Sequence, residues 1–241
     1  MSNKVNIGNT PNDGTGDSLR EFGQKFNNVI ENPQFEKMPE IDGTPIVTGF
    51  KNVVINGDMR INQREFDGSS FSDGDYCWDR WQSTLSGMTQ IIEEGNFVPS
   101  VAYTLSGVGL PVQIITSPSS GNWTLPEMPR TVKNVQLELG TTATPFEVRP
   151  IGLELMLCQR YYQIYPRQTY LYMYQKSGTK KQVSMPRTVT MRIAPTETYE
   201  INGAGVLDVS YSSAELFHMR LKSTDEDKST WLRNIRCDAE L

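Results

Sequence analysis

Apolar and polar residues alternate along most of the chain from residue 51 onward, and a helical period appears at two places, one before that region and one within it. The first is near the start. VNIGNTPNDGTG is turn chemistry, with Pro11, Gly14 and Gly16 among Asn, Asp and Thr. Asp17 or Ser18 can cap the helix that follows, and Ser18 with Glu21 fits the S-x-x-E capping box. Leu19, Phe22, Phe26 and Val29 or Ile30 then recur on one stripe. A lone helix of about a dozen residues is marginal in water. Its stripe is therefore expected to pack on copies of itself or on another protein, the plainer alternative being its own domain. Residues 1–32 make up this segment, and 33–50, with three prolines and little periodicity, read as a linker or an extended strap.

Residues 51–149 read as a short β-sandwich-like module. Val53 and Ile55, then Met59 and Ile61, alternate around Gly57, which predicts strand, turn and strand; Trp78 and Trp81 bracket Asp79 and Arg80. Short runs such as TQIIEE, SVAYTL and PVQII follow, separated by Gly, Pro and Ser. KNVQLELG places Val135, Leu137 and Leu139 on one face and Gln136 and Glu138 on the other, the pattern of a half-buried strand.

The second helical stretch is assigned to 150–165. Pro150 suits a first helical position, and Ile151, Leu153, Leu155, Met156, Leu157, Cys158, Tyr161 and Tyr162 leave almost no polar face. A helix apolar nearly all round must be covered on every side. Three such helices on a symmetry axis would do that, with Ile151, Leu155, Cys158 and Tyr162 as the contact positions. Residues 166–241 return to β alternation: TYLYMYQK, RTVTMRIAP (Val189, Met191 and Ile193 against Thr190 and Arg192), ELFHMRLK and WLRNIRCDAEL each have one wet face.

Composition narrows the function. Hydrophobic residues are 37% of 241, below a globular average of roughly 45%, which suggests extended shape or burial between subunits. With 23 basic and 28 acidic residues the net charge is -5, and no Lys/Arg run could track a phosphate backbone, so nucleic acid is not an expected ligand. The three cysteines are widely separated and fit neither a disulfide framework nor a zinc site; they read as small buried hydrophobes. No signal peptide or membrane span is apparent, and the chain is expected to be made in a cytoplasm and stay soluble.

Catalytic chemistry is sparse. The one histidine, His218, lies mid-strand, and no G-x-S-x-G elbow accompanies it. GVGLP lacks the Lys and Ser/Thr of a phosphate loop. The acidic stretches DGSSFSDGD and STDEDKST read as solvated turns, with calcium binding or a carboxylate pair as the alternatives. No cofactor or metal is expected. Six of the ten tyrosines lie between Tyr161 and Tyr174, and Tyr170, Tyr172 and Tyr174 share a strand face that suits either a subunit seam or a sugar ring.

Several of these stretches together resemble tail-fibre or receptor-binding structural proteins of tailed bacteriophages. NIGNTPNDGTGDSLREFGQKFNNV is similar to an N-terminal element of fibre and baseplate-associated proteins. NVVINGDMRINQR with CWDRW resembles the opening of a fibre β module, VQLELGTTATPFEVRPIGLELMLCQRYYQ its closing strand and following helix, and MRIAPT through CDAEL a C-terminal tip. In such relatives the stretch after DRW holds a carbohydrate-binding-like jelly roll, and Gln82 to Lys133 is shorter than that.

The resemblance implies a mainly β, homotrimeric virion component made in the host cytoplasm. An N-terminal attachment helix (Leu19, Phe22, Phe26, Val29) would bind a tail or baseplate protein. The central trimerising helix would join the module to a C-terminal β-sandwich tip. There Tyr170, Tyr172, Tyr174, His218 and Arg220 are candidate contacts for a host surface glycan or protein. A purely structural or adaptor role, and a polysaccharide-trimming enzyme, are the alternatives.

Overall fold

The computed structural model describes residues 40–41, 44–45, 50–165, 171–175, 180–203, 205–223 and 228–241. The expected attachment helix, with Leu19, Phe22, Phe26 and Val29, lies outside them. Contacts divide the chain at Phe50. In the first unit, β1 (Glu40–Ile41) pairs antiparallel with β2 (Thr44–Pro45).

The second unit, Lys51–Leu241, is mainly β with one helix among its described residues. Its first half holds β3 (Gln82–Ser83), β4 (Met88–Thr89), β5 (Ile91–Ile92), β6 (Ala102–Val108), β7 (Leu110–Thr116), β8 (Trp123–Thr124) and β9 (Lys133–Leu139). The three long strands form an antiparallel sheet with β6 between β7 and β9; β3 pairs with β4, and β5 with β8. Trp81, Met88, Tyr103, Leu105, Trp123, Val135 and Leu137 belong to one buried cluster under these strands.

The strand–turn–strand expected over Val53 to Ile61 is instead irregular. Side-chain amides take the place of a ladder there. Asn52 donates from Nδ2 to the Val135 carbonyl (3.0 Å) and accepts the Leu137 N–H at Oδ1 (3.0 Å). This is the local competition with regular pairing that Asn is suited to. Asn56 and Met59 adopt positive φ, so the alternating apolar residues mark anchoring points, not a pleat.

The expected wet face of β9 is also covered. Gln136 and Glu138 are buried because the Thr- and Pro-rich stretch after β9 folds back over them. Glu138 accepts the Thr144 N–H (2.8 Å) and hydroxyl (2.6 Å), and Gln136 Oε1 accepts the Glu147 N–H (2.7 Å). The stretch is a polar clasp on the strand it follows.

The helix α1 covers Ile151–Gln159, and Pro150 is its N-cap, one position earlier than the sequence suggested. It does not extend to 165: β10 (Tyr162–Ile164) follows and pairs with β16 (Lys228–Asp238). Between them come β11 (Leu171–Gln175), β12 (Lys180–Pro186), β13 (Thr196–Gly203), β14 (Gly205–Ser212) and β15 (Leu216–Ser223). β16 pairs with β10, β11 and β13; β15 lies between β12 and β14. Phe217 and Met219 of β15 share an apolar cluster with Leu232, Ile235 and Cys237 of β16, so the two sheets meet at their inward faces.

RTVTMRIAP is not a strand. Its residues link β12 to β13, bracketed by Pro186 and Pro195, which cannot donate to a ladder. Met191 reaches the core and bonds by its N–H to the Ala214 carbonyl, while Ile193 is exposed.

Candidate functional site

Among the described residues, the NVVINGDMRINQR, CWDRW and PIGLELMLCQRYY stretches and the residues 238–241 converge on one buried polar junction. Asn56 is at its centre. Its φ of 57° lies in the left-handed region, which Asn tolerates better than most residues. Its side chain donates to the Ile61 carbonyl (2.8 Å) and the Asp79 carbonyl (3.0 Å) and accepts the Ile61 N–H (2.9 Å). Its own carbonyl accepts the Trp81 indole N–H (2.8 Å), and its N–H donates to Glu154 of α1. One residue thus ties the module's opening, the CWDRW turn and the helix together.

Glu154 is buried where the helix meets the module, paired with Arg149 (3.3 Å), whose guanidinium also donates to the Val54 carbonyl (3.2 Å) and to the Asn52 carbonyl. Cys158, one turn on, is fully buried on the same face, and burial raises its thiol pKa. Cys77 and Cys237 are buried free thiols as well, in keeping with cysteines that serve as core hydrophobes.

The CWDRW turn makes the second half of the junction. Trp81 donates its backbone N–H to Trp78 and accepts from Cys77, with Arg80 at φ 72°. A non-glycine residue in this region costs on the order of 1–3 kcal/mol and persists only where its surroundings over-determine it. Arg80 meets that condition: its guanidinium stacks on the Tyr161 ring at 3.6 Å, donates to the Ile91 carbonyl (2.5 Å) and pairs with Glu240. Arg64 stacks on Tyr162 at 3.8 Å and reaches Asp238 (3.1 Å) and Glu240 (3.3 Å). Tyr76 donates its hydroxyl to the Leu241 carbonyl (2.9 Å). The end of the chain is therefore gripped by two arginines and a tyrosine from its first module.

Asp79 sits between these halves and is fully buried. Its Oδ2 accepts the Gln63 N–H (2.9 Å), but Arg64 Nε is 4.0 Å from Oδ1, beyond hydrogen-bond reach. Desolvation lifts its pKa to about 6, against the lowering effects of the Gln63 N–H and the Arg64 charge. The folded protein thus holds this proton more tightly than the unfolded chain, where a carboxyl titrates near pH 4. The stability from this group is fully present below about pH 4 and is lost as pH rises through about 6, a change on the order of 3 kcal/mol. We expect the urea midpoint to fall between pH 4.5 and 7.5, and Asp79→Asn to remove most of that fall. Equal losses in both proteins would show that Asp79 is not the titrating group.

The candidate contacts of the sequence are separated by this geometry. Ile151 is exposed and Leu155 half-buried on the helix, whereas Cys158 faces the junction and Tyr162 lies in β10 under Arg64. Tyr170 lies outside the described residues, and Tyr172 and Tyr174 are placed only by their pairing in β11 with Trp231 and Ser229. His218 and Arg220 are on the outward face of β15. His218 Nδ1 lies 2.6 Å from Ser184 Oγ on β12, its cross-strand partner; this is a pair on a sheet face, and a cleft lined by Arg64, Tyr162 and Arg236 is on the other sheet. The acidic stretch DGSSFSDGD is turns, in which Asp67 accepts from the Ser69 N–H (2.8 Å) and hydroxyl (2.7 Å). Among the described residues no cluster of His, Cys, Asp and Glu could hold a metal ion, and no helix is long and apolar enough to cross a membrane.

Sequence reasoning did not find the junction itself. Its signal was present as charges embedded among apolar residues: Asp79 and Arg80 between two tryptophans, and Glu154 inside an otherwise apolar helix. Comparison of the chain with models of known protein families, with curated proteins and with solved structures yields no match in any of the three.

Proposed function

We infer that the chain is a non-enzymatic, homotrimeric structural protein of a tailed-bacteriophage virion. In this reading residues 1–32 attach it to a tail or baseplate protein, residues 51–149 are a lateral β-sandwich-like module, and residues 166–241 are a β-sandwich tip that meets the host surface. The residue-level likeness to phage fibre proteins is the starting point, and the observation that carries the reading is the two-sided helix α1. Its inner face is fastened by Glu154 and Cys158, while its outer face leaves Ile151 60% and Met156 53% exposed, beside Val148 at 71%.

An apolar surface on a rigid, internally anchored helix invites a second copy. Fully burying each such side chain contributes about 1.5–3 kcal/mol, and three-fold closure would bring the same residues together. Trimerisation would also give a weak tip high avidity, because linked copies raise effective concentration without any new contact.

Light scattering tests the reading directly. The native protein is expected at three times its chain mass, and Ile151→Glu/Met156→Glu at one, with unchanged circular dichroism because both positions face outward. A native monomer would overturn the trimeric fibre.

A further inference from the structure

The sheet face made by β10, β16 and β13 carries a cleft of about 560 Å³, within the range of small-ligand pockets. The charged groups at its base are paired with one another. Arg64 is held by Asp238 and Glu240, the other Asp238 oxygen accepts the Glu240 N–H (3.0 Å), and the other Glu240 oxygen pairs with Arg80. These groups have little left to offer a ligand.

Its wall is different. β16 alternates so that Ile235 and Cys237 are buried and Arg236 points outward, and Ala239 just after it is buried as well. Thr198 is the cross-strand partner of Arg236, and Thr196 that of Asp238, so two exposed hydroxyls flank the guanidinium. Arg236 makes no ion pair or side-chain hydrogen bond among the described residues, and it lines the cleft together with exposed Ile193 and Ala194. One exposed cation that feels the charge of Glu200 but makes no ion pair among the described residues, two hydroxyls and a small apolar ledge are therefore presented together. An arginine fork matches a carboxylate or a phosphate bidentately, the threonines can bond ring hydroxyls, and the ledge can take the apolar face of a sugar.

The geometry points to an acidic-saccharide site in this cleft, with Arg236 binding the anionic group and Thr196 and Thr198 the neighbouring hydroxyls. The proposal rests on the reading of residues 166–241 as a host-binding tip, and its residues are others than the candidate contacts read from the sequence. Carboxylated and phosphorylated sugars share the required chemistry.

Saturation-transfer NMR and calorimetry with three probes test it: a galacturonic acid trisaccharide, glucose 1-phosphate and neutral maltotriose. Binding of either acidic probe, weakened by added salt and at least tenfold tighter than maltotriose, is expected; whichever acid binds better identifies the carboxylate or the phosphate source. Arg236→Gln should weaken that binding at least tenfold and Thr198→Val by a smaller factor. Neither change should alter the melting temperature appreciably, since exposed substitutions usually stay within about 0.5 kcal/mol. No binding of either acidic probe, equal binding of maltotriose, or full binding by Arg236→Gln would overturn the site. The native mass needs no ligand, so the two readings fail separately: a trimer without acidic-sugar binding removes the cleft alone, and a monomer that binds removes the fibre alone.

Discussion

Gly57→Ala is expected to destabilise the protein by about 3–5 kcal/mol, enough to leave a marginal domain largely unfolded. Gly57 lies where the irregular opening segment runs against β9. Its carbonyl accepts the Val135 N–H (2.8 Å), and a Cβ added to it would overlap the Val135 carbonyl oxygen and sit 3.2 Å from the Phe146 ring. The obstacle is backbone, which cannot rotate away as a side chain would. Relief requires moving the segment off the strand. That movement would break the Val53 N–H to Leu137 carbonyl bond (2.9 Å) and both bonds from the Asn52 amide. Overpacking costs about 1–3 kcal/mol, and each buried hydrogen bond lost adds about 1 kcal/mol or more. The urea midpoint reads the total, with Trp81 as an internal probe because its indole N–H bonds to Asn56 next door (2.8 Å). A midpoint within error of the native protein would mean that the segment and β9 are not held at this distance.

Gly57 also illustrates what could be read from the residues alone. Alternation was informative wherever a strand has one covered face. Phe217 and Met219 are buried opposite His218 and Arg220, and Ile235, Cys237 and Ala239 opposite Arg236 and Asp238, as the pattern required. Alternation misled where side chains replace the ladder. Val53, Ile55, Met59 and Ile61 have the period of strands, yet the amides of Asn52 and Asn56 provide the hydrogen bonds that pairing would otherwise supply. It also could not show that Gln136 and Glu138 are covered, because their cover comes from a fold-back of the next ten residues.

The cleft escaped for a related reason. Arg236, Thr196 and Thr198 are ordinary exposed positions in sequence and become neighbours only through the pairing of β13 with β16. The helix was legible as apolar, but the face that meets the chain is the one that carries its single carboxylate, Glu154, together with Cys158.

That carboxylate supports the second large effect. Glu154→Ala should cost about 3–5 kcal/mol, the range for breaking a buried ion pair from one side. It removes the partner of Arg149 at 3.3 Å and the acceptor of the Asn56 N–H, leaving the guanidinium beside Glu147 at 3.5 Å. The combined Arg149→Met/Glu154→Leu variant should cost no more than Glu154→Ala alone. Although the Val54 and Asn52 carbonyls lose a donor and half-buried Glu147 loses its cation while keeping the Asn52 N–H, neither member of the fully buried pair is left behind alone, and well-packed apolar pairs often equal the ion pair they replace. A double-mutant cycle that also includes Arg149→Met and Glu154→Leu, read by urea midpoints, gives the coupling energy. Strict additivity would mean that the two residues do not act as a unit. The cycle also separates the two faces of α1. Changes at Glu154 should lower stability at any protein concentration, whereas changes at Ile151 and Met156 should alter the native mass while leaving the fold intact. A loss of folding from the outward pair would show that those side chains hold the chain to itself and that the helix has no free face to assemble with.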